Sequence, residues 1–301
     1  MNKTLTEQVN EILKSKASCL KKAEAIVKLG VTPFEAMCLA KSSMPAPAPR
    51  VHRFAYTFGV EIETINCRYV EFFDAARRNG LDVFDQVYYN HRDIPQYKLT
   101  TDASINGNNP AECVSPALNG NPNGFKSLKA CCKALAEIGA RANASCGLHV
   151  HIGARDLTDE AYCNVFVNYM RLETAIESFL APSRRGANAR WCASLRNHGD
   201  RLVNAGTKED VRRALDFDRY HRVNAEAYGA HQTIEFRQHQ GSTNFTKIEH
   251  WVKFLGKLVE WSRTNRLLSN IDRIEDIPFL SESDKRYFIG RRSEFEARQA
   301  V

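Results

Sequence analysis

The chain has 301 residues, enough for one large domain with a small added module, and too many for a mini-domain that needs disulfides to fold. Apolar residues make up 43% and charged residues 26%, as in ordinary globular proteins. The formal net charge is +7, an excess too small to indicate a nucleic-acid or membrane partner by itself. Residues 1–50, with eight Lys or Arg and four Glu, hold +4 of it.

Nothing in the sequence indicates a membrane or an oxidising compartment. No apolar run approaches the roughly 18 residues of a transmembrane helix, and the N-terminus lacks the apolar centre of a signal peptide. The nine cysteines are odd in number and form no C-x-x-C pair, which favours reduced, buried thiols over disulfides or a zinc ribbon. We therefore predict a cytoplasmic protein with no membrane partner.

Residues 1–42 are predicted to form a helical module. Their apolar residues recur at helical spacing, and Thr32-Pro33-Phe34-Glu35 combines a capping Thr, a proline suited to the first helical position and a capping-box Glu. Proline alternates with alanine after Met44, so 43–52 is predicted to be an extended linker, followed by a large domain over 53–301. The charge excess makes the module the part that we expect to contact an acidic macromolecular partner.

Beyond the linker, strand and helix patterns alternate irregularly, which predicts an α+β domain. Apolar stripes at helical spacing mark helices over 125–138, 162–180 and 248–259. Thr158 is placed to open the second helix, and Thr246 with Glu249 forms a predicted capping box for the third.

Three predicted strands share one design, in which polar residues alternate with apolar ones. The polar pairs are Glu61 and Glu63 in 58–63, His149 and His151 in 147–153, and Glu235 and Arg237 in 233–237. Because successive side chains point to opposite faces of a strand, each polar pair lies on one face while its apolar neighbours face a core. If the strands share a sheet, that face gathers three carboxylates, two imidazoles and a guanidinium.

This set of side chains predicts divalent-cation and phosphate chemistry. Carboxylates two residues apart lie roughly 6.5–7 Å apart along a strand, a spacing that suits two neighbouring ions better than one chelated ion. Oxygen ligands with one imidazole are typical of Mg²⁺ or Mn²⁺ sites, and the guanidinium of Arg237 matches phosphate oxygens. Together they indicate phosphoryl transfer from a nucleotide. Two alternatives stay open: a solvated strand face, and a zinc site at His149 and His151.

The same residues, with further motifs, resemble the amidoligase family of carboxylate–amine ligases, which is related to glutamine synthetase and glutamate–cysteine ligase. The motifs follow in order F-G-V-E-I-E at 58–63, T-T-D-A-S at 100–104, E-C-V-S-P at 112–116, C-G-L-H-V-H-I-G at 146–153, Y-H-R-V-N at 220–224, T-I-E-F-R at 233–237 and G-S-T-N at 241–244. Where the family commonly has a hydrophobic residue after the last arginine, this chain has Gln238, and His239 has no assigned role.

The resemblance implies a half-open antiparallel sheet of the glutamine synthetase type with packed helices, holding ATP and two or more Mg²⁺ ions. The implied metal ligands are Glu61, Glu63, Glu112, His149 and Glu235. The residues implied to contact ATP or substrate are His151, Arg222, Asn224 and Arg237, the last at the γ-phosphate. Asp102 is implied to hold or deprotonate the incoming amine.

Such a protein would be an ATP-dependent ligase. Transfer of the γ-phosphoryl group to a substrate carboxylate gives an acyl phosphate, which an amine then attacks to form an amide. The expected partners are ATP, a carboxylate and an amine, whose identities the motifs do not specify. The alternatives are a phosphotransferase of the same superfamily, a zinc-dependent hydrolase, and a binding protein whose large domain is inactive.

Overall fold

A computed structural model of the chain describes residues 3–15, 19–42, 56–87, 93–186 and 191–299. The chain divides into two compact units, Met1–Val51 and His52–Val301. The predicted linker at 43–52 lies outside the described residues. Within the described ranges, none of the helices combines the length and apolar character that crossing a membrane requires.

The first unit contains three helices, α1 (Leu5–Lys14), α2 (Cys19–Val27) and α3 (Pro33–Ser42). The Thr32 hydroxyl accepts a hydrogen bond from the Glu35 backbone N–H (3.3 Å), which confirms the predicted start of α3. Buried residues of α2 and α3 form a small core of their own, consisting of Ala23, Ile26, Ala36 and Ala40.

The second unit is built on an open, mostly antiparallel sheet of eight strands. The strands are β1 (Thr57–Thr64), β2 (Val83–Phe84), β3 (Tyr97–Thr100), β4 (Ala111–Val114), β5 (Leu118–Asn119), β6 (Gly147–Gly153), β7 (Val223–Asn224) and β8 (Thr233–Gln240). Their order is β2-β3-β4-β1-β6-β8-β7, and β5 pairs with the start of β1. Only the pairing of β2 with β3 is parallel among these described strands. The α+β class is confirmed, with one parallel edge that the prediction did not include.

The described part of this unit has eight α-helices and three 3₁₀ turns. The helices are α4 (Tyr69–Arg78), α5 (Pro122–Glu137), α6 (Asp159–Ser178), α7 (Gly199–Val203), α8 (Lys208–Ala214), α9 (Ala227–His231), α10 (Phe245–Ser262) and α11 (Glu282–Gln299). The 3₁₀ turns are Pro182–Arg184, Leu195–His198 and Ile274–Asp276. Thr158 caps α6 as predicted. Asn244 caps α10, so this helix begins before the predicted capping box at Thr246.

Alternation along β1 gives the sheet one apolar and one polar face. Phe58, Val60 and Ile62 are buried in the main core, which also contains apolar residues of α5, α6 and α10. Complete burial of each such side chain contributes about 1.5–3 kcal/mol to stability. The helices thus cover the apolar face, and the residues between these three positions lie on the other face.

Candidate functional site

The polar face is organised in rows across the strands, because directly paired residues of neighbouring strands point to the same side. In one row, Glu61 of β1 lies opposite Val114 of β4 and His149 of β6. In the next row, Glu63 lies opposite Glu112 of β4. The register therefore brings Glu61, Glu63 and His149, which the strand patterns predicted to share a face, together with Glu112, which the family resemblance implied.

A third row adds β8 and β7 to this face. Glu235 of β8 lies opposite His151 of β6 on one side and Asn224 of β7 on the other. The Asn224 Nδ2 donates a hydrogen bond to Glu235 Oε2 (2.6 Å), and the Asn224 Oδ1 accepts one from the Glu226 backbone N–H (2.8 Å). Asn224 thus fixes the direction of the Glu235 carboxylate.

A β-bulge interrupts the pairing of β8 with β6. Two residues of β8, Arg237 and Gln238, lie opposite the single residue His149. Arg237 stays on the polar face, whereas His239 turns towards the helices, where its ring packs against Trp251 with 5.4 Å between centroids. The bulge explains the position of His239: it belongs to the core and not to the site.

His149 lies at the centre of the acidic residues. Its Nδ1 is 3.0 Å from Glu61 Oε2 and 3.5 Å from Glu235 Oε1, while its Nε2 is 3.5 Å from Glu63 Oε1. Two sets of three potential ligand atoms result, each with its atoms within 4.8 Å of one another. The first set is Glu61, His149 and Glu235, and the second set is Glu63, Glu112 and His149.

The charges of these two sets favour a bound cation. Glu63, Glu112 and Glu235 are only 4%, 8% and 4% exposed. Burial raises the pKa of Glu112 well above its ordinary value, and the charges of Glu61 and Glu63 raise it further. A divalent cation would relieve this repulsion, and carboxylate oxygens with one imidazole are donors that Mg²⁺ and Mn²⁺ accept. The residues present therefore fit a divalent cation.

Glu61 and His151 form a charged pair beside the first set. Burial acts to raise the pKa of Glu61, but the imidazoles of His149 and His151 hold it well below its ordinary value. Burial acts to lower the pKa of His151, yet its interaction with Glu61 gives a net rise. The His151 Nε2 is 3.3 Å from Glu61 Oε1, and its Nδ1 is 2.9 Å from Thr233 Oγ1. His151 therefore adjoins the first set without belonging to it.

The segment that carries both sets also matches a known protein family. The family model described as "Putative amidoligase enzyme" matches residues 55–259, more than half of the chain. The chain belongs to the amidoligase family. A search of curated protein sequences gave no match. The matched segment of this amidoligase includes every candidate site residue, from Glu61 to Arg237.

Arg237 of the amidoligase is held in place by three neighbours. Its guanidinium forms an ion pair with Glu235 and lies over the ring of Tyr220, 5.9 Å from the centroid. Its Nε donates a long hydrogen bond to the Trp191 carbonyl (3.5 Å). These contacts fix the guanidinium beside the first set.

The side chain of Arg222 points towards α6 and not onto the polar face. It is fully buried, and its Nη1 donates a 2.8 Å hydrogen bond to Glu173 Oε2 of α6. Its Nη2 contacts the Glu177 carboxylate and the Gly186 carbonyl. The structure thus places Arg222 in a buried ion-pair network between the β7 segment and α6. It does not bring Arg222 to the acidic residues of the two ligand sets.

Asp102 lies in the loop after β3, next to the second set. Its Oδ1 accepts a 2.7 Å hydrogen bond from the Ser104 backbone N–H, as in an Asx turn. Its charge adds to the effects of burial, Glu61 and Glu63 that raise the pKa of Glu112. Asp102 is half-buried.

An open cleft of about 110 Å³ runs along the end of the polar face where β1 begins. Glu61, Glu112 and His151 are among its lining residues. Asp93 and His231 also line it and form an ion pair with each other, with 2.9 Å between His231 Nδ1 and the Asp93 carboxylate.

Among the cleft residues that sequence reasoning missed is Lys98 of β3. It lies opposite Val114, in the same row as Glu61 and His149, and is 5% exposed. Burial lowers the pKa of Lys98, against the opposing effects of Asp93 and Glu61. The available signal was its alternation with Thr100 ahead of Asp102, but one lysine in a strand is more often a surface residue.

Proposed function

We propose that this chain is an ATP- and Mg²⁺-dependent ligase that joins a carboxylate to an amine through an acyl phosphate. Family membership supports a ligase. The position of His149 between two sets of carboxylates supports the dependence on ATP and Mg²⁺ and the acyl-phosphate route. We also propose that the sheet is a half-barrel of the glutamine synthetase type, and that the enzyme is cytoplasmic, in agreement with the free thiols of its described cysteines.

The two sets would hold two divalent cations. Glu61, His149 and Glu235 would hold one, and Glu63 with Glu112 would hold the other, with His149 between them. When bound, the cations supply positive charge that offsets the charge of the transferred phosphoryl group. Each set has two carboxylates and one imidazole, which favours Mg²⁺ or Mn²⁺ over the nitrogen- and sulfur-rich sites of zinc.

Arg237 and His151 are the proposed phosphate contacts of the first set. The Arg237 guanidinium is already oriented by Glu235 and Tyr220, so little side-chain entropy is lost when it binds the γ-phosphoryl oxygens. His151 lies beside Glu61, and both residues line the cleft. A carboxylate is a poor acyl donor because attack would have to expel an oxide, and phosphorylation converts that oxide into a good leaving group.

Asp102 is proposed to receive the amine. The Ser104 N–H orients its carboxylate, and the neighbouring Glu112 places it beside the second set. An ionised carboxylate in this position attracts an ammonium group and can accept its proton as the nitrogen attacks the acyl phosphate. Water must be excluded at that stage, because it would hydrolyse the same intermediate.

The test is an omission experiment with ATP, Mg²⁺, a pool of carboxylates and a pool of amines. A ligase consumes ATP only when both pools are present, and forms ADP together with an amide. A phosphotransferase needs one pool and yields a phosphorylated product. A zinc hydrolase cleaves amides without ATP and loses activity when zinc is removed. The proposal fails if purified protein shows either of the last two patterns.

A further inference from the structure

Two positively charged side chains, those of Arg237 and Lys98, flank the acidic residues of the polar face on opposite sides. Arg237 lies on β8 and forms an ion pair with Glu235. Lys98 lies on β3, two strands from Glu61 in the same row of the sheet. Only Val114 separates them in that row, so the long side chain of Lys98 can extend towards the acidic residues over a short apolar neighbour.

These two side chains differ in whether they line the cleft. Among the described residues that line the cleft, Lys98 is the only lysine or arginine, and Arg237 is not one of them. Ser115 and Thr233 contribute hydroxyl groups to the same lining. Gly59 lies between His151 and Ser115, where a Cβ atom would be in ordinary contact with each side chain at 3.8 Å. The cleft therefore combines one buried, positively charged side chain with polar groups.

We propose that Lys98 binds phosphate oxygens of a nucleoside triphosphate in this cleft. The inference rests on the proposed function, and it assigns to Lys98 a contact with the nucleotide that neither the motifs nor the family match provide. An ammonium group with three donors is a common partner of phosphate oxygens, and burial strengthens the interaction because water screens it less.

The neighbours of Lys98 indicate how this contact arises. Asp93, Glu61 and Glu112 are the carboxylates that interact with its charge. Without divalent cations, the ammonium group offsets the charge of the same carboxylates that would ligate them. Divalent cations held by Glu61 and Glu112 would take over that role, and Lys98 would then be left to face the anionic oxygens of the nucleotide. Lys98 and the cations thus compete for carboxylates but cooperate in binding phosphate.

This arrangement predicts opposite effects of one substitution. In Lys98→Met, a competing charge is removed, so Mn²⁺ should bind the nucleotide-free protein at least as tightly as it binds wild type. The same variant should bind a non-hydrolysable ATP analogue, in the presence of Mg²⁺, about tenfold or more weakly, because a charge-assisted contact is lost. Lys98→Arg keeps the charge and should recover most of the nucleotide affinity.

The experiment measures Mn²⁺ binding by electron paramagnetic resonance and analogue binding by calorimetry in wild type, both Lys98 variants and Lys126→Met. Lys126 is an exposed lysine outside this cleft, so its variant should match wild type. Unchanged analogue affinity in Lys98→Met would overturn the inference, and so would parallel loss of Mn²⁺ and analogue binding, which a structural role would cause. Wild type that binds neither probe would instead refute the proposed function itself.

Discussion

Asn224 donates a 2.6 Å hydrogen bond to Glu235, the carboxylate that β8 contributes to the first set of potential metal ligands. The other oxygen of Glu235 faces His149 Nδ1 at 3.5 Å and is paired with Arg237. The Glu235 carboxylate is therefore held from two sides. Asn224 is the uncharged one of these neighbours, and it is not a candidate metal ligand. We infer that Asn224 positions Glu235.

Replacing Asn224 tests this positioning role. We expect Asn224→Ala to weaken divalent-cation binding about 10- to 100-fold, the usual cost of removing a group that orients a metal ligand. Asn224→Asp should be worse, because it sets a second negative charge against Glu235. Titration with Mn²⁺ measures both. Wild-type affinity in Asn224→Asp would show that Glu235 is not held by this contact when the cation binds.

Arg222 offers a test that separates a structural role from a phosphate contact. Its guanidinium is buried against Glu173 and Glu177, so Arg222→Met should leave these carboxylates uncompensated and lower the free energy of unfolding by about 3–5 kcal/mol. The double variant Arg222→Met/Glu173→Gln should recover part of that loss. Denaturant unfolding gives the comparison. A stable Arg222→Met protein with weakened nucleotide binding would instead assign Arg222 to the ligand.

The buried ring of His239 predicts a dependence of stability on pH. Burial lowers the pKa of His239 to about 3 from its ordinary 6.5, so the folded protein resists a proton that the unfolded chain accepts. Its contribution to stability is intact above pH 6.5 and is lost as the pH falls towards 3. Between pH 6.5 and 4.5 the loss is on the order of 2 kcal/mol.

The measurement compares wild type with His239→Gln in denaturant unfolding at several pH values. The absolute stability of the variant is not decisive, because the packing against Trp251 also changes. The slope is decisive: the free energy of unfolding should fall less steeply below pH 6.5 in His239→Gln than in wild type. Equal slopes would show that His239 is not buried in its neutral form.

We expect the first unit to bind an acidic partner and the second unit to carry out ATP consumption. Its core is formed within the unit by residues such as Ile26 and Ala36, and it carries the larger share of the positive charge. Deletion of residues 1–48 should therefore leave ATP consumption within about twofold of wild type while weakening retention on an acidic polymer such as heparin. Loss of ATP consumption in a folded deletion variant would show that the unit contributes to the active site.

The acidic residues could be predicted because strand alternation is local. The pairs Glu61 with Glu63 and His149 with His151 face one side wherever the strand runs straight, and the structure brings them together. Alternation fails where the strand is irregular. From Glu235 and Arg237 it would place His239 on the polar face, but the bulge opposite His149 reverses the order.

Arg222 and Lys98 illustrate two further limits. Arg222 is two residues from Asn224, so extended chain would place both on one face, yet the chain bends at Arg222 before β7 begins and the side chain enters the core. Lys98 depends on strand order: its proximity to Glu61 exists only because β4 lies between β3 and β1. Such long-range pairing has no signature in a single sequence.

We propose that the two carboxylate sets around His149 support ATP-dependent amide formation, and mass spectrometry of the reaction products is the sharpest test of this proposal. Wild type, Glu61→Gln and Glu235→Gln are incubated with ATP, Mg²⁺ and mixed amino acids, peptides and polyamines. We predict a wild-type product whose mass equals two components less one water, formed together with ADP, and at least about a 100-fold loss in both folded variants. Undiminished ATP consumption in both variants, or a wild-type product that carries phosphate and no new amide, would show that the two sets do not support amide formation.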